Sequence, residues 1–300
     1  MATWQPLDDC EWGEGTQQGR ALDETDTDPD EARDWWTDAY EMRMRFGIPE
    51  FDAGEHEREK YVDTLVHEKP AVQTSSEGGT SYVKIGTRGC GKTTDNLHWG
   101  IRLMEVNDER VVWRGSPSRP GWLPLREWAT VWLPEGGSVD AEWVADGDAC
   151  PDGRVGETAL ADEVRAVRRY EDPVDLVEQL EEHPAGTFNV VYPDPSFDGC
   201  EELTRDTHRV GATLPFTPEW ETFGDESATP ITHWWFGFLL AAVDHRPRYS
   251  WMSLLFDEAH DLVEAGAEED DHRTHRKVLL AASCYDDSRR NRLSLYWSTQ

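Results

Sequence analysis

The chain has 300 residues, and its 61 acidic residues outnumber its 29 basic residues to give a formal net charge of −32. A hydrophobic content of 37% with 15 tryptophans argues against an acidic disordered chain and predicts a packed core. Five scattered cysteines without a C-x-x-C pair exclude a cysteine-rich zinc knuckle and give no support for a disulfide framework.

The charge composition also indicates the salt conditions in which the protein works. Arginine supplies 24 of the 29 basic residues, because the chain has five lysines. Like charges repel across a Debye length of about 10 Å at 0.1 M salt, which shrinks to about 3 Å in molar salt. Carboxylate excess with scarce lysine is therefore typical of a protein in the high-salt cytoplasm of a halophile. The composition offers no basic surface of the kind that nucleic-acid-binding proteins use.

In chain order, we expect two units. Residues 1–72 are predicted to form an acidic N-terminal tail and helical extension, with helices over 30–46 and 55–67. Residues 73–300 alternate apolar strand patterns with helical patterns, which is typical of an α/β domain with a mainly parallel sheet flanked by helices. A stretch rich in Gly, Pro and Trp, about 117–156, resembles an insertion. No stretch is apolar enough over a sufficient length to predict a transmembrane segment.

The predicted elements of this domain are short and regularly spaced. The predicted strands are 82–85, 111–115, 129–133, 164–169, 188–192, 252–256 and 293–297. The predicted helices are 91–104, 173–182, 231–244 and 272–287.

The first predicted strand and helix are joined by a string that fits G-x-x-x-x-G-K-[ST], the phosphate-binding loop known as Walker A. Glycines let the backbone N–H groups point at phosphates, and the helix N-terminus favours an anion. Lys92 is expected to reach the β/γ oxygens of ATP, and the Thr93 hydroxyl to bind Mg²⁺. The expected ATP-binding residues are Gly86, Thr87, Arg88, Gly89, Cys90, Gly91, Lys92, Thr93 and Thr94.

A second motif, 251–258, is an apolar strand that ends in two carboxylates. A buried strand of this kind delivers Asp257 to the sheet edge beside Thr93, where it is expected to hold Mg²⁺ through water. Glu258 lies one residue further and is expected to orient the attacking water. Together the two motifs predict a Walker A and Walker B pair, and hence an NTPase.

The last predicted strand ends in small polar residues, after an arginine-bearing corner. In P-loop motors such a strand lies beside the Walker B strand, and its terminal polar side chain contacts the γ-phosphate or the water. Arg289 and Arg290 fit two interpretations. They are either a solvated helix end or arginine fingers that reach the γ-phosphate in a neighbouring subunit.

With these residues assembled, the chain resembles the FtsK–HerA superfamily of DNA-translocating ATPases, which includes virus genome-packaging ATPases. The resemblance rests on GTRGCGKTT at 86–94, LLFDEAHDL at 254–262 and DDSRRNRLSLYWSTQ at 286–300. It implies a RecA-like P-loop core, with Gln300 as the γ-phosphate sensor. It further implies a homo-oligomeric ring, expected to be a hexamer, with DNA as its partner.

Three functions stay open at this point. The first is Mg²⁺-dependent ATP hydrolysis that drives an oligomeric motor in DNA translocation or packaging. The second is a P-loop ATPase that remodels or assembles a protein or membrane complex without translocating DNA. A regulatory nucleotide binder with negligible turnover is disfavoured, because such a protein has little use for Glu258.

Overall fold

The computed structural model describes residues 79, 81–87, 89–107, 109–116, 121–135, 141–143, 153–155, 161, 164–222, 227–262 and 270–299. The predicted N-terminal unit, 1–72, lies outside these residues, and so do the two helices predicted within it. The strands are β1 Ser81–Ile85, β2 Arg110–Arg114, β3 Ala129–Pro134, β4 Ala141–Trp143, β5 Gly153–Val155, β6 Ala166–Tyr170, β7 Thr187–Val191, β8 Met252–Phe256 and β9 Leu293–Thr299. The α-helices are α1 Lys92–Asn107, α2 Pro173–Glu182, α3 Cys200–Asp206, α4 Trp234–Asp244 and α5 Thr274–Ser288.

Seven strands form one parallel sheet in the order β1-β9-β8-β2-β7-β3-β6. Strands β4 and β5 pair antiparallel in a separate two-stranded sheet. Because the seven strands run in one direction, their carboxyl ends meet at one edge, where ligands bind in open α/β sheets. Strand β9 lies between β1 and β8, so the three chain segments at the ends of these strands are neighbours.

Helices cover both faces of the sheet. Helix α1 and the 3₁₀ helix Leu123–Trp128 pack on one face, and α2 to α5 pack on the other. Helix α4 is apolar on all sides, and Trp234 to Val243 are all buried, as expected for a helix enclosed by other elements. Its neighbours are α2, α3 and α5. No helix among the described residues has the length and apolarity needed to cross a membrane.

Local sequence fixes where helix α2 begins. Asp172 precedes α2, and its Oδ1 accepts hydrogen bonds from the backbone N–H groups of Val174 at 2.7 Å and Asp175 at 2.9 Å. Pro173 occupies the first helical position, where a missing N–H costs nothing. An Asp cap followed by Pro is a standard helix start, and the predicted bounds of this helix, 173–182, are those observed.

The sequence therefore predicts the architecture well. All seven predicted core strands belong to the parallel sheet, with shifts of at most two residues at their ends. The first three residues of the predicted helix 231–244 form a 3₁₀ turn instead. Helix α3 is not predicted. The stretch 117–156, interpreted as an insertion, contains β3, which lies inside the main sheet between β7 and β6.

Candidate functional site

A glycine-rich loop, residues 86–91, connects β1 to α1 at the carboxyl edge of the sheet. Gly89 and Gly91 have φ angles of 80° and 89°, in the left-handed region that favours glycine. A Cβ atom built at either position would meet no atom within 4 Å. The loop therefore has open space beside these two glycines, and side chains are disfavoured there for conformational reasons alone.

Lys92 begins α1, and its side chain turns back over the loop. The ammonium Nζ donates to the carbonyl oxygen of Gly86 at 2.6 Å and to that of Thr87 at 3.1 Å. The loop itself is fixed to β9, because the Gly86 N–H donates to the Thr299 carbonyl at 3.2 Å. The first N–H groups of a helix lack intrahelical partners and carry partial positive charge. Together with the Lys92 ammonium, they favour an anion at this position.

Thr93 and Asp257 meet at the same edge. Asp257 directly follows β8, and Thr93 Oγ1 donates to its Oδ2 at 2.8 Å, across 164 positions in sequence. A hydroxyl and a carboxylate are oxygen ligands of the kind that Mg²⁺ prefers. Among the described residues, no group of three or more His, Cys, Asp or Glu side chains is placed to hold a metal. A pair of this kind corresponds to the way Mg²⁺ is usually bound, by one or two carboxylates with water and phosphate supplying the other ligands.

Glu258 adopts a left-handed backbone with φ 53° and ψ 51°, an uncommon conformation for a residue with a side chain. Arg114, at the end of the adjacent β2, supports this turn, because its Nη1 donates to the carbonyls of Asp257 at 3.1 Å and Glu258 at 3.2 Å. The Glu258 carboxylate lies 3.2 Å from His260 Nδ1 and is 22% exposed. Backbone strain of this kind concentrates at functional sites.

The sequence motifs do not identify three residues that lie near Asp257: Arg114, Asn96 and Lys84. Asn96 Nδ2 lies 3.5 Å from Asp257 Oδ1, and Lys84 Nζ donates to Asn96 Oδ1 at 2.9 Å. One signal was available, since Asn96 lies three residues after Thr93 and so shares its helix face. Arg114 also carries a signal, as a charged residue that follows the apolar run 111–113 in β2.

Gly121, two residues before the 3₁₀ helix Leu123–Trp128, also lies at this edge. A Cβ atom built on Gly121 would lie 2.6 Å from Thr93 Cγ2 and 3.9 Å from Asp257 Oδ2. The backbone at Gly121 is therefore in close approach to the Thr93–Asp257 pair. The next residue, Trp122, is buried and donates from Nε1 to the Tyr192 hydroxyl at 3.1 Å, which holds the backbone beside Gly121 in place.

Arg289 and Arg290 lie at the opposite edge of the sheet, in a 3₁₀ turn before β9. Strand β9 has seven residues, which corresponds to about 20 Å at the usual rise of a strand. The Arg290 side chain is 82% exposed, with Nη1 3.7 Å from Asp287 Oδ1. Neither arginine can reach the glycine-rich loop of its own chain, so any contact with such a loop requires a second molecule.

The remaining predicted site residues are on the loop or beyond the described positions. Thr87, Cys90 and Thr94 are exposed on the loop and the first turn of α1. Arg88 and Gln300 lie outside the described residues.

One edge of the sheet thus combines an open glycine loop, a cation over it, an oxygen pair suited to Mg²⁺ and a partly exposed carboxylate. This arrangement can hold a polyanion with a divalent cation and place a proton acceptor nearby. No protein-family model, curated protein or solved structure matches the chain.

Proposed function

We propose that this protein is a Mg²⁺-dependent ATPase with a RecA-like P-loop core. The observation that carries the proposal is the hydrogen bond from Thr93 to Asp257 at 2.8 Å. It joins a threonine that closes G-x-x-x-x-G-K-[ST] to an aspartate at the end of a buried parallel strand. Two such residues share the Mg²⁺ of a bound nucleotide in P-loop NTPases.

In this proposal, each of the residues at the carboxyl edge of the sheet has its own role. The loop N–H groups and Lys92 bind the phosphates, and the Lys92 ammonium exchanges its bonds to two loop carbonyls for bonds to phosphate oxygens. Thr93 and Asp257 hold Mg²⁺, which when bound neutralises the charge that develops on the phosphoryl group. Glu258 orients the attacking water, and Arg114 holds the backbone from which the Glu258 side chain projects.

We further propose that the ATPase is an oligomeric motor of the FtsK–HerA type that translocates or packages DNA. The support is the motif order, together with the position of β9 between β1 and β8. This position brings the end of β9, which Gln300 follows, beside the loop. Arg289 and Arg290 can complete only a neighbouring subunit's site, so the proposal requires a ring, expected to be a hexamer.

A second candidate is an ATPase that remodels or assembles a protein or membrane complex. The net charge of −32 favours it, because a motor that grips DNA needs cations facing the phosphate backbone. The two candidates share the ATP site and differ in what stimulates it.

We expect the purified full chain to hydrolyse ATP in molar KCl with Mg²⁺, and double-stranded DNA to raise the steady-state rate. Heparin, a polyanion without base pairs, serves as the control for nonspecific charge effects. Light scattering on the same samples should show an oligomer. Hydrolysis that neither DNA nor heparin changes would favour the remodelling ATPase, and a lack of ATP binding would overturn the proposed function.

The close approach of Gly121 gives a prediction about the cation. A methyl group there would push on Thr93 Cγ2, and rotation of the β-branched threonine about χ1 to relieve this contact turns its hydroxyl away from Asp257. We expect Gly121→Ala to weaken Mg²⁺-dependent ATP binding by about tenfold, or ~1.4 kcal/mol. Titration calorimetry measures this change. Gly211→Ala is the matched control, since its added methyl would meet no atom within 4 Å, and equal binding by the two variants would contradict the prediction.

A further inference from the structure

Asn96 is fully buried in the first turns of α1, and its side-chain amide joins three other elements. The Oδ1 atom accepts from Lys84 Nζ of β1 at 2.9 Å and from Ser298 Oγ of β9 at 3.0 Å. The Nδ2 atom faces Asp257 Oδ1 at 3.5 Å, after β8. A buried amide costs free energy unless such partners satisfy it, so this position is specific for a side chain with both a donor and an acceptor.

The chemistry of Lys84 fixes which end of the amide faces Asp257. A lysine ammonium can only donate hydrogen bonds, so the Asn96 atom beside Lys84 must be the oxygen. The NH₂ group then points at Asp257 and donates to it. The Asp257 carboxylate is thereby held on both of its oxygens, by Thr93 on Oδ2 and by Asn96 on Oδ1.

Asn96 has a second effect, which is to separate the Lys84 ammonium from the Asp257 carboxylate. The Lys84 ammonium is half-buried, pairs with Asp95 at 2.6 Å and lies 3.9 Å from the centre of the Trp99 ring. Burial lowers the pKa of Lys84, while Asp95 and Asp257 act in the opposite direction. The Asn96 amide stands between the Lys84 ammonium and the Asp257 carboxylate. Without it, the ammonium is free to pair with Asp257 and to compete with a metal ion for its oxygens.

We propose that Asn96 is a positioning residue that orients the Asp257 carboxylate for Mg²⁺ and keeps the Lys84 ammonium away from it. This inference rests on the proposed ATPase function, which it extends to a residue outside both sequence motifs. Partners that hydrogen-bond a metal-binding side chain fix its orientation, and their removal weakens metal affinity by about 10- to 100-fold. Loss of Asn96 should therefore act on Mg²⁺ rather than on the nucleotide.

The experiment measures binding of the fluorescent nucleotide methylanthraniloyl-ATP to the full chain in molar KCl. One series contains EDTA, and a second series titrates Mg²⁺. We expect Asn96→Ala to bind the nucleotide in EDTA within about twofold of the wild type. We expect its Mg²⁺ midpoint to rise by about 10- to 100-fold.

The matched control is Asn189→Ala. Asn189 is also fully buried and hydrogen-bonded, to Trp132 Nε1 at 3.0 Å and to the Val111 carbonyl at 3.3 Å, but it lies on β7. Both variants lose a buried amide, so both should melt at a lower temperature, whereas only Asn96→Ala should change the Mg²⁺ midpoint. Should Asn96→Ala fail to fold, Asn96→Ser replaces it. The serine hydroxyl keeps a polar atom near Lys84 but is too short to reach Asp257.

The possible outcomes distinguish a failure of the positioning role of Asn96 from a failure of the proposed ATPase function. A wild-type Mg²⁺ midpoint in the Asn96 variant overturns the positioning role, and so does an equal loss of binding in EDTA and in Mg²⁺. Either result leaves the ATPase proposal in place, because the wild type still binds nucleotide in a Mg²⁺-dependent way. If the wild type binds no nucleotide in either series, the proposed function fails and the positioning role fails with it.

Discussion

Glu258→Gln should bind ATP with the affinity of the wild type and hydrolyse it about 10²- to 10⁴-fold more slowly, the usual contribution of a positioned general base. The substitution changes one oxygen to an NH₂ group and keeps the shape of the side chain. The amide can still contact His260, but it cannot accept a proton from water. Because Thr93, Asp257 and Lys92 are untouched, the contacts with Mg²⁺ and phosphate survive. Single-turnover hydrolysis and equilibrium binding, measured on the same protein, test the two halves of this result.

Two further variants are compared with Glu258→Gln. Lys92→Ala should lose ATP binding itself, since the loop then lacks the side-chain cation directed at the β/γ-phosphates. Glu219→Gln makes the same chemical change at an exposed position of a 3₁₀ turn and should leave both measurements unchanged. Wild-type turnover in Glu258→Gln would show that another group handles the water, and the catalytic assignment of Glu258 would be wrong.

The fold was accessible from sequence because its central strands are buried on both faces. β2, β7 and β8 are almost uninterrupted runs of apolar residues, the pattern of a parallel sheet covered by helices on both sides. The strand order was expected only where the last strand lies beside the Walker B strand, as β9 does beside β8. The other pairings, such as β1 with β9 and β2 with β8, join strands that are far apart in sequence and carry no local signal. Strand β3 lies in a Gly- and Pro-rich stretch, and this composition made it resemble part of an insertion although it belongs to the main sheet.

The residues of the candidate site also fall into two groups, those that the sequence predicts and those that it does not. Residues within a local motif, such as Lys92 and Asp257, are predictable because their spacing and their neighbours define them. Asn96 and Arg114 belong to no motif. Their signals in the sequence, a helix face shared with Thr93 and a charge after an apolar run, suggest no role without their partners in space. Asn96 meets Asp257 across 161 positions and Ser298 across 202. Thr93 and Asp257 are 164 positions apart and were nevertheless expected to meet, because each belongs to a recognisable motif. Asn96 belongs to none, so its contacts were not predictable.

The edge of the sheet opposite the site holds a second buried polar network, centred on Arg246 and Glu181. Arg246 Nε lies 2.9 Å from Glu181 Oε1, and both side chains are 0% exposed. Arg246 Nη2 also donates to the carbonyls of Ser250 at 2.6 Å and Asn291 at 2.7 Å. Burial lowers the pKa of Arg246 to about 10, so the guanidinium stays charged at neutral pH. The network joins α2, the segment before β8 and the turn before β9.

Arg246→Met should lower the free energy of unfolding by about 3–5 kcal/mol, the usual cost of removing one partner from a buried ion pair. Methionine fills much of the space but leaves the Glu181 carboxylate without its cation in a site that water does not reach. It also leaves two carbonyls without their donor. Urea unfolding in molar KCl, with linear extrapolation to water, measures the change.

Arg205→Met is the matched control, because Arg205 pairs with Glu201 at 3.2 Å on the surface of α3 and its side chain is 54% exposed. An exposed pair of this kind contributes about 0.5 kcal/mol. The double variant Arg246→Met/Glu181→Leu should recover part of the loss, since it removes the unpaired buried charge. The Ser250 and Asn291 carbonyls stay without their donor, and the Ser250 N–H and hydroxyl lose the carboxylate that accepts from them. A single Arg246→Met variant as stable as Arg205→Met would mean that water reaches Glu181. In that case the network would not stabilise this edge of the sheet.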